Sequence, residues 1–289
     1  MKKILITGAN SYIGTSVEKW LMKEPANHQV DTLDMQDENW RDYDFSPYDV
    51  VFHVAGIAHV SADPKLKDLY YRVNSELTIE TAKKTKNEKV KQFIFMSSII
   101  VYGDSSSKDR VITKDTIPTP SNFYGDSKLQ AEKGIELLRD ENFKVVILRP
   151  PMIYGPGSKG NYPRLSKLAQ KTPIFPDFPN QRSMLFIDNL CEFVKQMIIN
   201  EETGIFFPQN KEYVSTTELV RQIAKVHNHK IIFTKMFNPL IRLMFKSQTI
   251  KKMFGNLTYE RQIITKNTLD TIFIDFNKSI LLTESKIKE

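Results

Sequence analysis

The sequence predicts an α/β fold, a doubly wound parallel sheet joined to a smaller C-terminal lobe. Three observations carry the prediction. Short apolar, β-branched runs recur at residues 4–6, 49–54, 92–96 and 144–148, with helix-spaced stretches between them. The first run ends in the glycine turn Thr7-Gly8 and passes into helical periodicity over residues 11–22. Past Tyr154 the alternation gives way to loops rich in proline and glycine. Residues 1–154 are expected to form the sheet domain. Residues 155–289 form mainly the lobe, with a segment at about 183–210 returning to the sheet.

Taken in order, Ile4, Leu5 and Ile6 suit a strand buried on both faces. Gly8, Ser11 and Gly14 then form a G-x-x-S-x-x-G turn before a helix, a cradle for a pyrophosphate. Ser11 stands where a glycine is usual; it keeps an N–H and adds a hydroxyl, but its Cβ limits close approach. Alone, such a turn is also compatible with no ligand. Residues 29–33 read as a second strand ending at Asp34, twenty positions after Gly14. A carboxylate there accepts from the adenosine ribose hydroxyls and repels a 2′-phosphate, which selects NAD over NADP; a turn aspartate is the alternative. The connection from Asp34 to Asp49 is short, and a separate third strand is hard to place in it.

The run 49–54 ends in Ala55 and Gly56, small enough for a cofactor to approach the sheet edge. His53, inside this run, reads as a packed core histidine, and His59 as a loop residue without a sequence partner. A helix is expected over about 66–86, strands at 92–96 and 144–148, and a helix over 129–139. The loop 104–109 is polar with no core potential. In the lobe, helices are expected near 165–170, at 188–199 and at 216–226, the last capped by Ser215 or Thr216, with a short strand at 204–207.

Forty per cent hydrophobic and 26% charged residues are ordinary for a globular chain of 289 residues. No run reaches the length of a membrane span and no signal peptide is legible, so a cytoplasmic protein without stable membrane insertion is expected. The lone Cys191 excludes an internal disulfide and a cysteine metal cluster, and no metal is expected. The net charge of +7 sits in residues 211–289, where fourteen Lys and Arg face seven Asp and Glu. Solvated lysines explain that excess better than nucleic acid, for which no motif is present. The apolar and basic stretch 236–254 could lie on a membrane, but is read instead as covering the lobe.

The chemistry is carried by Tyr124 and Lys128, four apart at a helix start and so on one face. An ammonium beside a phenol favours the phenolate. Lys128 can also bind ribose hydroxyls, and Ser98, at the end of a neighbouring strand, can share a substrate hydroxyl with Tyr124. A tyrosine and lysine at this spacing are commonly a solvated face. The order of glycine turn, strand-end serine, Tyr-Lys pair and Arg149-Pro150-Pro151 distinguishes this one.

The segments TGANSYIG (7–14), DVVFHVAG (49–56), SSIIVYG (97–103), YGDSK (124–128) and LRPPMIYGPG (148–157) resemble the extended short-chain dehydrogenases/reductases of the nucleotide-sugar epimerase/dehydratase family, over nearly the whole chain. The resemblance implies a Rossmann domain with bound NAD, Tyr124 as acid/base, Lys128 as its partner, Ser98 as hydroxyl partner and Asn74 as organiser on the cofactor side. Ser98 is chosen over Ser97 because it lies five residues before Gly103. Gly8, Tyr12, Ile13, Asp34, Ala55, Gly56 and Pro151 would line the cofactor. Asn161 and Arg182 match residues that contact the nucleotide diphosphate, with Arg261 a further candidate. The short connection after Asp34 departs from the family, and Asp37 could fill that part of the adenine pocket.

The implied reaction is hydride transfer at C4 of a UDP-hexose or UDP-N-acetylhexosamine for surface polysaccharide synthesis. Epimerisation is favoured, with NAD(P)H-dependent 4-keto reduction of a UDP-4-keto-6-deoxy sugar as the alternative. Ser98-Ile99-Ile100 holds no acid, which disfavours dehydration. A non-enzymatic dinucleotide sensor is the alternative of another class, though it would be expected to lose the tyrosine or lysine. By resemblance a homodimer is possible, through helices at 66–86 and 126–139.

Overall fold

A computed structural model describes residues 1–58, 63–106, 108–261 and 274–285, which divide into two compact units. The first unit comprises residues 1–103, 118–150 and 190–208. Its strands are β1 (Lys2–Thr7), β2 (His28–Leu33), β3 (Val50–His53), β4 (Gln92–Met96), β5 (Lys144–Leu148) and β6 (Gly204–Phe206). All pair in parallel, in the order β6-β5-β4-β3-β1-β2. Apolar side chains on both faces of β1, β3 and β4 are fully buried, among them Ile4, Leu5, Phe52, Phe93 and Phe95. The order reverses at β1, and the crevice beyond the ends of β1 and β3 is the topological switch point, where such sheets hold ligands. Between β2 and β3 the chain makes only a 3₁₀ turn, Glu38–Asp42, capped by Asp37. Among the described residues no strand pairs on the outer side of β2, in keeping with a connection in which a further strand was hard to place.

The helices of this unit are α1 (Tyr12–Leu21), α2 (Lys67–Tyr71), α3 (Leu77–Asn87) and α4 (Phe123–Glu136). The last, α5 (Ile187–Ile199), starts in the other unit and enters this one at Leu190. The single helix expected over 66–86 is interrupted by a π turn, Arg72–Glu76, which buries Asn74 and Ser75. The helix expected at 129–139 starts earlier, at Phe123, because the Asn122 side chain accepts from Gly125 N at 2.9 Å and caps it. Ion pairing of Lys195 with Glu24 (2.6 Å) and donation from Trp20 Nε1 to Glu192 (2.9 Å) tie α5 to α1 and its following turn.

The second unit comprises residues 104–117, 151–189 and 209–289. Three short parallel pairs run through it: Met152–Tyr154 with Met184–Phe186, Ile174–Pro176 with Ile232–Thr234, and Val111–Ile112 with Thr258–Tyr259. Its helices are Asn161–Ala169, Thr216–Val226, Asn238–Leu243, Gln248–Phe254 and Phe276–Ser285. Ser215 caps the second of these through Glu218 N at 2.9 Å. Phe175, Phe178 and Phe254 pack as tilted rings in its core. The buried Glu284 carboxylate accepts from Tyr162 (2.7 Å), Ser166 (2.9 Å) and His227 Nε2 (2.6 Å).

The division departs from the expected one in three places. The first unit ends at Pro150 rather than Tyr154, because Met152–Tyr154 pairs with Met184–Phe186. The segment that returns to the sheet is 190–208. Residues 104–117, expected in the sheet domain with a coreless loop, belong to the second unit. There Ser106 and Asn256 exchange backbone hydrogen bonds (3.0 and 2.7 Å) and Ser105 Oγ donates to Lys251 O at 2.6 Å. Among the described residues no helix is long and apolar enough to cross a membrane.

Candidate active site

At the switch point, Gly8 has φ +111° and a Cβ there would lie 2.7 Å from Ala55 N. Only glycine fits, so the end of β1 can press directly on the end of β3. Gly8 and Ala9 both donate to Leu33 O (2.9 and 3.1 Å), which brings the turn against the end of β2. Ser11 is turned inward. Its N–H donates to Gly8 O (3.3 Å) and its hydroxyl oxygen accepts from Gly14 N (3.1 Å), so it shapes the turn and caps α1. Tyr12 and Ile13 open the first turn of α1, where backbone N–H groups lack carbonyl partners within the helix. Asp34 follows β2 and is exposed, with one carboxylate oxygen accepting from Gln36 N at 2.9 Å.

Along the same sheet edge, α4 carries Tyr124 and Lys128 on successive turns. Gly125 lets this helix start close in, since a Cβ there would meet Ile100 O at 2.7 Å. The Tyr124 phenol is within hydrogen-bonding reach of Ser98 and edges against the buried ring of Tyr70, centroids 5.8 Å apart. Burial pushes the phenol up to about 12, while the Ser98 hydrogen bond acts in the opposite direction. The Lys128 ammonium donates to Met96 O at 3.0 Å and lies 4.7 Å from the Phe95 ring centroid. Burial holds this ammonium down at about 8, with Glu132 acting to raise it.

Lys128 Nζ and Asn74 Oδ1 both border Gly56, 3.1 and 3.0 Å from where its Cβ would be. Asn74 takes Ile57 N (2.8 Å) and gives to Ile57 O (3.0 Å) and Ser127 Oγ (3.2 Å), fixing the loop after β3 against α4. Lys128 thus has three donors and, among the described residues, one protein acceptor.

Behind Ser98 lies a buried polar network that the sequence did not single out. Ser97 Oγ donates to Glu132, and Glu132 receives Arg149 through Nε (3.1 Å) and Nη2 (2.6 Å). Arg149 Nη1 donates to Tyr102 OH at 2.5 Å. The available signal was Glu132, one turn beyond Lys128, with the arginine of Arg149-Pro150. His53 is fully buried between Thr7 Oγ1 (2.7 Å) and Thr78 Oγ1 (3.1 Å), and burial lowers it to about 3, so it stays neutral. His59 lies outside the described residues.

The second unit contains a pocket lined by Asn161, Arg182, Ser215, Lys252 and Met253, among others. Asn161 is exposed at the start of its helix. Arg182 bridges the backbones of Val214 and Leu257, and its guanidinium donates to Lys252 O at 2.6 Å. No described carboxylate pairs with it, and burial lowers it to about 10. Pro151 is buried at the head of the strand Met152–Tyr154. Arg261 does not line the pocket; it stacks on Tyr213, 4.8 Å from the ring centroid. The part played by Lys252 and Met253 had no local signal in the sequence.

Residues 4–206 match the model of the NAD dependent epimerase/dehydratase family. The UDP-glucose 4-epimerase of Vibrio cholerae is 31% identical over 77% of this chain and 75% of that protein. An N-acetyl-α-D-glucosaminyl-diphospho-ditrans,octacis-undecaprenol 4-epimerase of Escherichia coli O157:H7 is 28% identical over 82% and 76%. Among solved structures, UDP-glucuronic acid 4-epimerase of Bacillus cereus in complex with NAD superposes with a TM-score of 0.78 at 20% identity, covering 99% of this chain and 96% of that one.

Proposed function

The chain belongs to the NAD dependent epimerase/dehydratase family, and we propose that it is a 4-epimerase acting on a sugar carried by a diphosphate, with UDP-hexoses and UDP-N-acetylhexosamines as the leading substrates. It is an NAD-dependent enzyme. The observation that carries the assignment of residues is Tyr124 on α4 within reach of Ser98 at the end of β4, with Lys128 buried one turn further along α4 and holding donors to spare. The residues present fit the dinucleotide. The Gly8 turn and the first turn of α1 would face the pyrophosphate, Asp34 the adenosine ribose, and Lys128 with Asn74 and Gly56 the nicotinamide ribose. Bound NAD supplies the acceptor, and then the donor, of the hydride at the sugar carbon.

Tyr124 would take the proton of the C4 hydroxyl as that carbon becomes a ketone, and return it after the sugar has presented its other face. Ser98 would hold the same oxygen. A phenol at about 12 is ionised in about one molecule in ten thousand at pH 8, so the proton transfer depends on cations arriving beside it. A Lys128 ammonium re-aimed from Met96 toward ribose hydroxyls is one such cation. Asn161 and Arg182 would grip the substrate diphosphate, for which a guanidinium without a carboxylate partner is suited. The substrates named for the two relatives both carry their sugar on a diphosphate.

The test is the state of the cofactor during turnover. The purified chain is given UDP-glucose, UDP-GlcNAc or a UDP-4-keto-6-deoxy sugar while the absorbance of reduced nicotinamide is followed. A C4 epimer formed with no net change in cofactor is the expected result. Stoichiometric NAD(P)H consumption with the keto sugar alone would replace the epimerase reading with a reductase. Retained cofactor with no exchange on any sugar would favour a dinucleotide sensor.

A further inference from the structure

The stretch 236–254, expected to cover the lobe, does so with one side only. Asn238, Ile241 and Phe254 are buried in the second unit. On the other side Met236 (73% exposed), in the turn before the short helix Asn238–Leu243, Leu240 and Leu243 (80%) on it, and Met244 in the 3₁₀ turn after it stand in solvent, with Ile232 exposed just before them. Elsewhere exposed apolar side chains are scattered, which is ordinary; here five fall within thirteen residues.

Along the chain the charge of this stretch is all of one sign, and the acidic residue bonded to it is Asp177, whose backbone meets Thr234 and Asn238 (2.8 and 2.9 Å) on its buried side. Between Glu218 and Glu260 there are eight Lys and Arg and no Asp or Glu. Lys235, Arg242 and Lys246 are exposed in and beside the apolar patch itself. We infer that this face docks on an anionic lipid bilayer, with Leu240, Leu243 and Met244 entering the headgroup–acyl boundary and the basic side chains reaching the lipid phosphates. That combination is how an interfacial segment binds, and it involves no spanning helix. A second copy of the chain is disfavoured, because a twofold contact through this face would bring its cations together. Nucleic acid is disfavoured because the exposed apexes are aliphatic, and single-stranded bases seek aromatic faces.

The docking rests on the surface alone; its use rests on the proposed reaction, since a sugar diphosphate anchored in a bilayer would be met at such a surface. The full chain is incubated with vesicles of phosphatidylcholine, or of phosphatidylcholine with about 30% phosphatidylglycerol, and sedimented. It should pellet with the anionic vesicles only. Leu240→Ser with Leu243→Ser should weaken binding about tenfold or more. Arg242→Glu with Lys246→Glu should weaken it at low salt, with the difference shrinking as salt rises. Both variants should turn over a soluble UDP-sugar as the parent does, which also shows that they fold. Wild type remaining in the supernatant would overturn the inference. So would vesicle binding indifferent to the leucine changes, a smaller particle in the leucine variant without vesicle binding, or retention of nucleic acid in place of vesicles. Vesicle binding by a chain with no epimerase activity would leave the docking intact and defeat the proposed reaction instead.

Discussion

Glu132 and Arg149 form a buried forked pair one helical turn beyond Lys128, with Nη2 2.6 Å from Oε2 and both side chains nearly inaccessible. Ser97 and Tyr102 extend the hydrogen bonding of the pair, so the end of β4, the turn after it and α4 share one polar node. Ser98 follows Ser97 directly, and Lys128 feels the Glu132 charge. The node therefore sets the backbone from which both side chains project.

Replacing Glu132 with Gln leaves the Arg149 cation buried without a counter-charge. The expected loss is about 3–5 kcal/mol of folding stability, because the desolvated charge is no longer offset. Chemical denaturation of the variant and the parent measures it. A change below about 1 kcal/mol would mean that the guanidinium finds water or another acceptor.

Tyr124→Phe removes the proposed proton carrier and little volume. Turnover should fall about a thousandfold or more, while NAD binding stays near that of the parent. Ser98→Ala should cost less, about ten- to a hundredfold, since it removes one hydrogen bond to the same oxygen. Rates on a UDP-sugar with cofactor titrations on the same preparations separate the two. Parent-like turnover in Tyr124→Phe would remove the tyrosine from the mechanism.

How far the sequence foretold this arrangement depends on how local each signal was. The turn from β1 to α1 was legible because Gly8 and Gly14 sit at fixed offsets from an apolar run, and β4 and β5 because both are bounded by polar residues. The placement of Val111–Ile112 beside Thr258–Tyr259 was not, since a two-residue strand has no period and its partner is far along the chain. Side-chain aim was also hidden. Ser11 turns to Gly14 and Asp34 engages Gln36 within their own turns, whereas Lys128 meets Met96, a partner thirty-two residues away that only folding brings in. The lone cations of 230–252 read alike in sequence, and only burial separates the inward Ile241 from the outward Leu240 and Leu243.

Lys128 gives a pH signature. Burial lowers its ammonium from 10.5 to about 8, so between those values the unfolded chain binds more protons than the folded one. Stability therefore rises with pH across this window, and the penalty, about 3 kcal/mol, is fully present below pH 8. Tyr124 acts in the opposite sense above pH 10, where a phenol held at about 12 stays protonated only in the fold. The difference in unfolding free energy between parent and Lys128→Met, followed from pH 7 to 10, isolates the lysine from the other titrating groups. The variant should be the more stable at pH 7, with its advantage shrinking toward pH 10. A pH-independent difference would show that the ammonium is hydrated in the folded chain.

Arg182 is the residue through which substrate affinity and chemistry can be separated. It lines the pocket of the second unit with no acidic partner among the described residues, and its guanidinium donates to the Lys252 carbonyl. Arg182→Ala deletes a charge-assisted contact to a diphosphate, worth about 2–3 kcal/mol, so KM for a UDP-sugar should rise by about thirty- to a hundred-and-fiftyfold. The contact lies on the part of the substrate that does not react, so kcat should change by much less. Inhibition by free UDP should weaken by the same factor as KM, and NAD binding should be unaffected. Arg182→Lys should recover part of the affinity, because charge is kept while the planar fork is lost. If kcat collapses and inhibition by UDP is unchanged, the guanidinium supports the pocket wall through Lys252 and the diphosphate is held elsewhere.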